Sequence, residues 1–438
     1  MIEWSKNKSI KWNEKLIVHS FPEGRGVIAN EDILENEILV SVPLQWLIHS
    51  KCKFSHDNIH ITNNNTPRIV NLNTIIDNLD SKQRISFHLI FERLLGSNSN
   101  WFEYLEHVPS EYFTTSMFTD EEIQSMVYPI FINEAKKLKN EMMDSYKRYC
   151  IVLEKYFNLN EEMHINGVNN WSCNVKLLMD LDLFKWSCGV IKTRSYYYDR
   201  NLVTQQNSQK RLQSTTNVVE DKDDCTIVPL ADLFNHSSSV DTEAKFNDRM
   251  NCYQVRTKTS FKKGDQVLIS YGKHSNFTLL NFYGFVVENN SLDSITLDPK
   301  EAIPEYLFTE TISNSLQLKR KYEILSQYGL SLTNGKFEVI NDSQQPFTWN
   351  YLTTLRVLLL TPKELDKKKE TMIFYNDESP SIENDKLLSN LLRPIIENHL
   401  SLLVDNTTPP IKKRFEIDYL LKSTKEIWEK CLNYINNL

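Results

Sequence analysis

Pro229-Leu230-Ala231-Asp232-Leu233-Phe234-Asn235-His236-Ser237 places a carboxylate, an amide, an imidazole and a hydroxyl within six positions behind an apolar strand signal at Cys225–Pro229. Such density of chemistry-bearing side chains points to a site. A serine hydrolase would need an elbow such as Gly-x-Ser-x-Gly, which the sequence lacks, and a metal centre would need further ligands that the sequence does not show. His56 and His60 have i, i+4 spacing but lie in an Asn-rich stretch with no glutamate between them, so they read as solvent-exposed histidines. Taken alone, Asn235-His236 would be read as a satisfied polar pair of a core.

Upstream lies Phe21-Pro22-Glu23-Gly24-Arg25-Gly26-Val27-Ile28-Ala29, which formally satisfies the G-x-G-x-x-A dinucleotide fingerprint. That fingerprint requires a helix directly after the glycines, because the pyrophosphate sits on the helix N-terminus. The sequel here is Asn30 to Glu37 and then a β-type run ending at Pro43, which argues against a Rossmann site. A hairpin turn, or a glycine turn that brings backbone against a different nucleotide-like ligand, both stay open. Downstream lies Gln266-Val267-Leu268-Ile269-Ser270-Tyr271-Gly272-Lys273-His274-Ser275-Asn276, running on to Leu279-Leu280-Asn281-Phe282-Tyr283-Gly284-Phe285-Val286.

The surrounding pattern alternates between strand and helix character. Leu16 to Leu47 reads as strands and turns, and Ser55 to Asn78 as an Asn-rich surface loop. Residues 81 to 96 follow helical spacing after a Ser81 cap, and Thr119-Asp120-Glu121-Glu122 has capping-box spacing ahead of a long pattern through Ile130, Ala135, Leu138 and Met142. More helix follows through Leu177, Leu181, Phe184 and Ile191, then a polar, exposed loop from Asp199 to Asp224. Strand signals return at Cys225–Pro229, Tyr253–Thr257 and Gln266–Ser270. From Pro304 the periodicity is helical to the end, with Phe415, Tyr419, Ile427, Trp428 and Leu432 on one side of a terminal helix. A strand-rich unit is thus split by a helical one.

Composition narrows the function classes. The 438 residues, 40% apolar and 24% charged, can bury a sizeable core, and the length suggests two or three compact units. A net charge of −7 supplies no basic excess for a phosphate backbone, so nucleic acid is not the expected ligand. Seven scattered cysteines without a C-x-x-C pair argue against both a disulfide framework and a structural zinc site. Met1 to Lys15 lacks the apolar core of a signal peptide, and the longest aliphatic run, Val357 to Leu360, is far too short for a membrane span. A reducing compartment inside the cell, cytoplasmic with the nucleus also open, is the expectation.

Taken in this order, the three segments resemble the SET-domain methyltransferases, specifically the class related to the Rubisco large-subunit lysine methyltransferase, in which a G-x-G turn, an Asn-His-Ser element and a strand ending in Tyr-Gly assemble one pocket. Trp101 to Pro109, with Tyr112 and Phe118 to Glu122, looks like the helical insert of that class, and Phe347 to Leu365 looks like its C-terminal substrate-binding domain. The resemblance implies an α+β architecture: a SET β-core in residues 1–80 and 225–295, interrupted by a helical insert at 81–198 and a polar loop at 199–224, then an all-helical C-terminal domain at 300–438.

It also implies S-adenosyl-L-methionine as cofactor, no metal, no membrane, a monomer, and a lysine-containing protein substrate, basic by charge complementarity. By analogy that substrate is a non-histone protein such as a ribosomal protein or translation factor. Histone or histidine methylation, and a SET-derived binding module without catalysis, are the alternatives. Tyr271 would be the catalytic phenol. Glu23, Gly24, Arg25, Arg194, Asp232, Asn235, His236, Tyr271 and Phe285 would hold the cofactor, and Tyr196 and Tyr283 would line the lysine channel. At each of these positions the plain alternative is structural: a helix-surface charge at Arg194, ordinary core aromatics at the tyrosines.

Overall fold

The computed structural model describes residues 2–22, 24–62, 68–165, 168, 171–198, 225–307, 315–332, 336–367, 369–376, 378–403 and 415–438. Glu23 and the polar loop at 199–224 lie outside them. The chain forms two compact units: Met1–Met117 with Leu138–Lys273 and Phe282–Gly284, and Phe118–Lys137 with His274–Asn281 and Phe285–Leu438.

In the first unit, Ile38–Pro43 is a central strand with four consecutive buried positions, as its unbroken Leu39-Val40-Ser41-Val42 run requires. It pairs with Lys11–Trp12 on one side and Cys252–Thr257 on the other, which in turn pairs with Thr242–Asn247, all antiparallel. Leu16–Phe21 and Gly24–Ala29 make a separate hairpin, with Phe21 opposite Gly24. Ser195–Tyr197, Cys225–Ile227 and Ile48–His49 form a third small sheet. One apolar core joins Val27, Leu39, Val40, Val42, Phe234, Val255 and Ile269.

A second core in the same unit corrects the expectation for Ser55–Asn78. This stretch is two strands, Asn58–Thr62 and Arg68–Asn71, and a short helix, Leu72–Ile76. Ile59 and Ile61 alternate with Asn58, His60 and Thr62, Val70 lies between Ile69 and Asn71, and the three are 0%, 0% and 8% exposed, so the period-2 signal was there beneath the polar composition. They pack with Phe87 and Phe91 of the helix Ser81–Leu95 and Phe184 of the helix Leu181–Arg194. The cap of Ser81–Leu95 is Asp80 rather than Ser81: its carboxylate accepts from Gln83 N at 2.9 Å while Gln83 Oε1 accepts from Asp80 N at 3.2 Å.

The expected box at Thr119 is present, with Glu122 N donating to Thr119 Oγ1 at 3.2 Å and Thr119 N to Glu122 Oε2 at 2.9 Å. The helix it starts, Asp120–Ser125, is short. Val127 takes a left-handed φ of 49° and a new helix begins at Pro129, which runs to Leu153. Ile123, Met126, Tyr128 and Phe131 belong to the core of the second unit, alongside Tyr351, Leu355 and Trp428. The division into units therefore cuts across the boundary expected at 81–198. Among the described residues the C-terminal region is helical with one addition, a ladder of Ser294–Leu297 with Phe337–Ile340. On the terminal helix Phe415–Asn436 the buried face runs through Ile417, Leu420, Ile427, Trp428, Cys431 and Ile435, while Phe415 is 61% exposed. Among the described residues, no helix is long and apolar enough to cross a membrane.

Two buried histidines make stability depend on pH. His88 has neither ring nitrogen hydrogen-bonded among the described residues and is wedged edge-on against Trp101 at 4.8 Å. Burial, with some repulsion from His49, lowers its pKa to about 3. In the second unit Trp428 Nε1 donates to Tyr128 Oη, Tyr128 pairs with His399 Nδ1 at 2.9 Å, and burial lowers His399 to about 4. An unfolded histidine titrates near 6.5, so below that pH the unfolded chain binds more protons than the folded one and stability falls with falling pH. Each histidine is expected to cost about 1.4 kcal/mol per pH unit below about pH 6. Levelling follows near pH 4 for His399 and near 3 for His88. Denaturant midpoints at pH 7, 6 and 5 check this, with His88→Phe flattening the slope; a midpoint that ignores pH would contradict it.

Candidate active site

The glycine hairpin, the Asn-His element and the Gln266–Lys273 part of the third segment converge in the first unit. Asn235 Nδ2 donates both to the Arg25 carbonyl, at 3.1 Å, and to Gln266 Oε1, at 2.9 Å, so one amide ties the glycine hairpin, the Asn-His element and the approach to Tyr271. Glycine at position 26 is required by this approach: a Cβ there would stand 2.8 Å from Asn235 Nδ2 and 2.8 Å from the Phe21 ring. Gly24 has φ 139°, which an L side chain rarely adopts. The Arg25 guanidinium itself donates to the His107 carbonyl. Gln266–Ser270 is not a ladder strand as expected. It is held by isolated bridges, Gln266 to Ile28 and Ile269 to His236, the latter parallel, with Ile269 N donating to Asn235 O at 2.9 Å and Ser237 N to Ile269 O at 3.0 Å.

That short parallel contact carries the chain from His236 to Tyr271. Tyr271 N donates to His236 Nδ1 at 3.1 Å, which makes Nδ1 an acceptor and puts a ring proton on Nε2. The two rings stack at 5.0 Å and 29°. Tyr271 Oη donates to the Phe234 carbonyl at 2.7 Å, so its proton is committed to the backbone. Tyr283 lies against Tyr271 at 4.9 Å, and Tyr196 against Tyr253 at 5.7 Å. Tyr196 Oη donates to Ala231 O at 2.8 Å and Tyr253 Oη to Tyr197 O at 3.0 Å.

Burial raises the pKa of Tyr271, Tyr196, Tyr253 and Tyr283 above the ordinary phenol value; at Tyr271 the Arg194 charge opposes the rise and Asp232 adds to it. At neutral pH this is a cluster of uncharged phenols. None of them is a base.

Behind the cluster sits an ion pair. Arg194, the last residue of the helix Leu181–Arg194, donates from Nη1 to Asp232 Oδ2 and to Asp232 O, both at 2.9 Å, with side chains 18% and 2% exposed. It is no helix-surface charge. Burial alone would lower its pKa, and the Asp232 carboxylate outweighs that and holds the guanidinium charged. Tyr104 Oη donates to the same Oδ2 at 2.8 Å, and Arg194 Nε reaches Tyr112 Oη at 3.4 Å. Tyr112 is locked in turn by Gly189, where a Cβ would meet its ring at 2.3 Å. Asp232 Oδ1 is buried with no hydrogen-bond partner among the described residues. Just before it Leu230 holds φ 72° although its side chain is fully buried, backbone strain of the kind that collects at functional sites.

Of the residues expected from the sequence, Arg25, Asn235, His236 and Tyr271 are linked by direct contacts, and Gly24 precedes Arg25 in the hairpin. Arg194 and Asp232 pair, and Tyr196 and Tyr283 lie among the tyrosines. Glu23 is outside the described residues, and Phe285 belongs to the second unit, where it is half-buried. Tyr104, Tyr112, Tyr253 and Gln266 were missed. Their partners are far away in sequence, and no local pattern marks them. A cleft of about 620 Å³ borders the cluster, lined among others by Tyr196, Tyr197, Lys192 and Phe282. Among the described residues no three His, Cys, Asp or Glu side chains converge so as to hold a metal ion.

Comparison with known proteins gives these features a setting. The family model described as the SET domain matches residues 24–272, from the glycine hairpin to the residue after Tyr271. "SET domain-containing protein 4" of Mus musculus is 24% identical over 375 residues, which are 85% of this chain and 74% of that protein. The actin-histidine N-methyltransferase of Mus musculus is 23% identical over 377 residues, 83% of this chain but 53% of that protein. Among solved structures, Rubisco LSMT bound to sinefungin and monomethyllysine superposes with a TM-score of 0.62 at 19% identity, over all of this chain and 90% of that one. Rubisco LSMT bound to AdoMet gives 0.61 at 19% identity over the same shares. At this identity the structural likeness establishes the fold.

Proposed function

Because the chain belongs to the SET-domain family, whose model spans more than half of it, we propose that it is an S-adenosylmethionine-dependent methyltransferase acting on a lysine side chain of a non-histone protein. The observation that carries this reading is the Asn235 amide joining the Arg25 carbonyl to Gln266, with Tyr271 stacked on the neighbouring His236. Three distant stretches meet where a donor and an acceptor would have to meet.

The donor, when bound, supplies an electrophilic methyl on a cationic sulfur. The residues fit its amino-acid end. Among the described residues Asp232 Oδ1 is a buried acceptor without a partner, suited to an ammonium, and Arg194 Nη2 has no hydrogen-bond partner, which suits a carboxylate. Asn235 and the Arg25 backbone shape the neighbouring wall. Tyr271 keeps its proton on Phe234 O and offers its oxygen to the polarised C–H bonds of a transferring methyl, a weak contact that favours one geometry.

Tyr196 and Tyr283 present uncharged aromatic faces to an amine. Only the neutral amine is a nucleophile, and with a reference pKa near 10.4 roughly one lysine in two thousand is neutral at pH 7. An aromatic channel disfavours the ammonium by desolvation, and because the phenols are not bases the proton leaves to water.

A second reading, histidine methylation, is favoured by the likeness to the actin-histidine N-methyltransferase over 83% of this chain. The pH profile separates the two. The ratio kcat/KM reports the free substrate's ionisation. For lysine it is expected to climb close to tenfold per pH unit from about 7 to 9, and for histidine, with a pKa near 6.5, to level off by about 7.5. Transfer of labelled methyl to cell-extract proteins across that range, with the modified amino acid identified by mass spectrometry, is the test. No transfer and no donor binding by calorimetry would leave a SET-derived binding module.

A further inference from the structure

The cleft beside the tyrosine cluster shares Tyr196 with it, so whatever lies in the cleft lies next to the side chain being methylated. Its volume, about 620 Å³, has room for side chains of a peptide. The polar groups along it are unevenly committed. The Asp80 carboxylate is consumed in capping the helix Ser81–Leu95, and the Gln83 amide donates to Ser145 O at 2.9 Å. Glu141 and Arg148, on the helix Pro129–Leu153, are exposed to water.

Lys192 differs from these. It is half-buried in the last turn of the helix Leu181–Arg194, and among the described residues its Nζ meets a single acceptor, Ser116 Oγ at 2.9 Å, and the Phe282 ring at 5.8 Å. No carboxylate of the described residues stands within ion-pair distance of it. An ammonium has three donors, so the neighbours in the structure leave it under-used while desolvating it. Burial pushes its pKa below the ordinary lysine value, against the pull of Cys188 and Glu141 in the other direction. A cation held this way on the wall of a mostly apolar cleft binds an anion well.

We infer that Lys192 reads a carboxylate of the protein substrate, an Asp or Glu side chain within a few residues of the methylated one, and that this cleft is the subsite for that flanking segment. The inference rests on the methyltransferase reading above and deepens it. It also qualifies the expectation of a basic partner, since the immediate flank of the target would carry an acid even where the partner is basic overall.

The test uses the full chain, labelled S-adenosylmethionine, and degenerate peptide pools with a fixed central lysine or a fixed central histidine. Asp or Glu is expected to be selected at one flanking position. Exchange of that acid for its amide in a single peptide is expected to lower kcat/KM by roughly ten- to a hundredfold, through KM. Lys192→Met should erase this ratio while leaving donor affinity and transfer to the amide peptide unchanged. Lys192→Arg should keep part of the ratio, and Lys192→Glu should turn selection toward Lys and Arg. Flat selection, an acid preference that survives Lys192→Met, or stronger selection for phosphoserine would overturn the inference and leave methyl transfer standing. Loss of donor binding in all three variants would assign Lys192 to the fold and overturn its role as a reader. No transfer from the unaltered chain to any pool, together with no donor binding, overturns both.

Discussion

Asp232→Ala is expected to destabilise the first unit by about 3–5 kcal/mol and to abolish donor binding, the largest effect of any single change in the site. The Arg194–Asp232 pair is largely desolvated, with side chains 18% and 2% exposed at 2.9 Å, so removing the carboxylate leaves a mostly buried guanidinium that cannot deprotonate. Tyr104 loses its acceptor in the same stroke, which adds about 1 kcal/mol. Against a total stability of about 5–15 kcal/mol, that is a large share.

Structural and binding roles can be separated. A double variant, Asp232→Leu with Arg194→Met, removes both charges; replacing a buried pair with apolar groups is often neutral or stabilising. Its unfolding midpoint should recover most of the loss, while donor binding stays absent because the ammonium and carboxylate of the ligand have lost their partners. Guanidinium denaturation and calorimetric titration with S-adenosylmethionine measure the two. Full donor affinity in the double variant would remove the pair from the binding site.

How much of this was legible in the sequence depends on the range over which each feature is encoded. The Thr119 box and the glycine hairpin were readable because their causes lie within a few residues: a hydroxyl facing N–H groups three positions on, and a backbone at φ 139° that excludes a side chain. The break at Val127 was passed over because the apolar period continues across it, although Pro129 in a first helical turn marks a new start. The strands at 58–62 and 68–71 were hidden by their short length and by the Asn58, His60, Thr62 and Asn71 side chains beside the buried residues.

In the site, Tyr104 and Tyr112 act on residues 128 and 82 positions away, and nothing in Glu103-Tyr104-Leu105 distinguishes a hydroxyl that will meet Asp232 from one that will meet water. Asp232, Asn235 and His236 stood out because they are crowded, and crowding of unlike polar groups after an apolar strand has few structural explanations, whereas Tyr271 was singled out by the family resemblance. Pairing between Arg194 and Asp232 required the fold.

Tyr271→Phe is expected to lower kcat roughly ten- to a hundredfold while leaving the affinity for S-adenosylmethionine within about threefold. The hydroxyl has two jobs in the structure, and they respond differently to its loss. As a donor to Phe234 O at 2.7 Å it satisfies a buried carbonyl, and deleting it should cost about 1 kcal/mol of stability, a shift in melting temperature of a few degrees at most. As an acceptor it is positioned beside His236 and Tyr283, and a contact that strengthens only as the methyl becomes more positive acts on the transition state, not on the bound donor. The loss should therefore appear in kcat and leave the donor Kd alone. The shape of the pH profile should also be unchanged, because burial keeps this phenol from ionising in the working range. Single-turnover transfer to a substrate peptide separates the chemical step from product release, and equilibrium titration gives the affinity. A variant with undiminished single-turnover rate would show that the ring of Tyr271 matters and its oxygen does not; one that lost donor binding in proportion to rate would move the residue from the reacting atoms to the wall of the cofactor site.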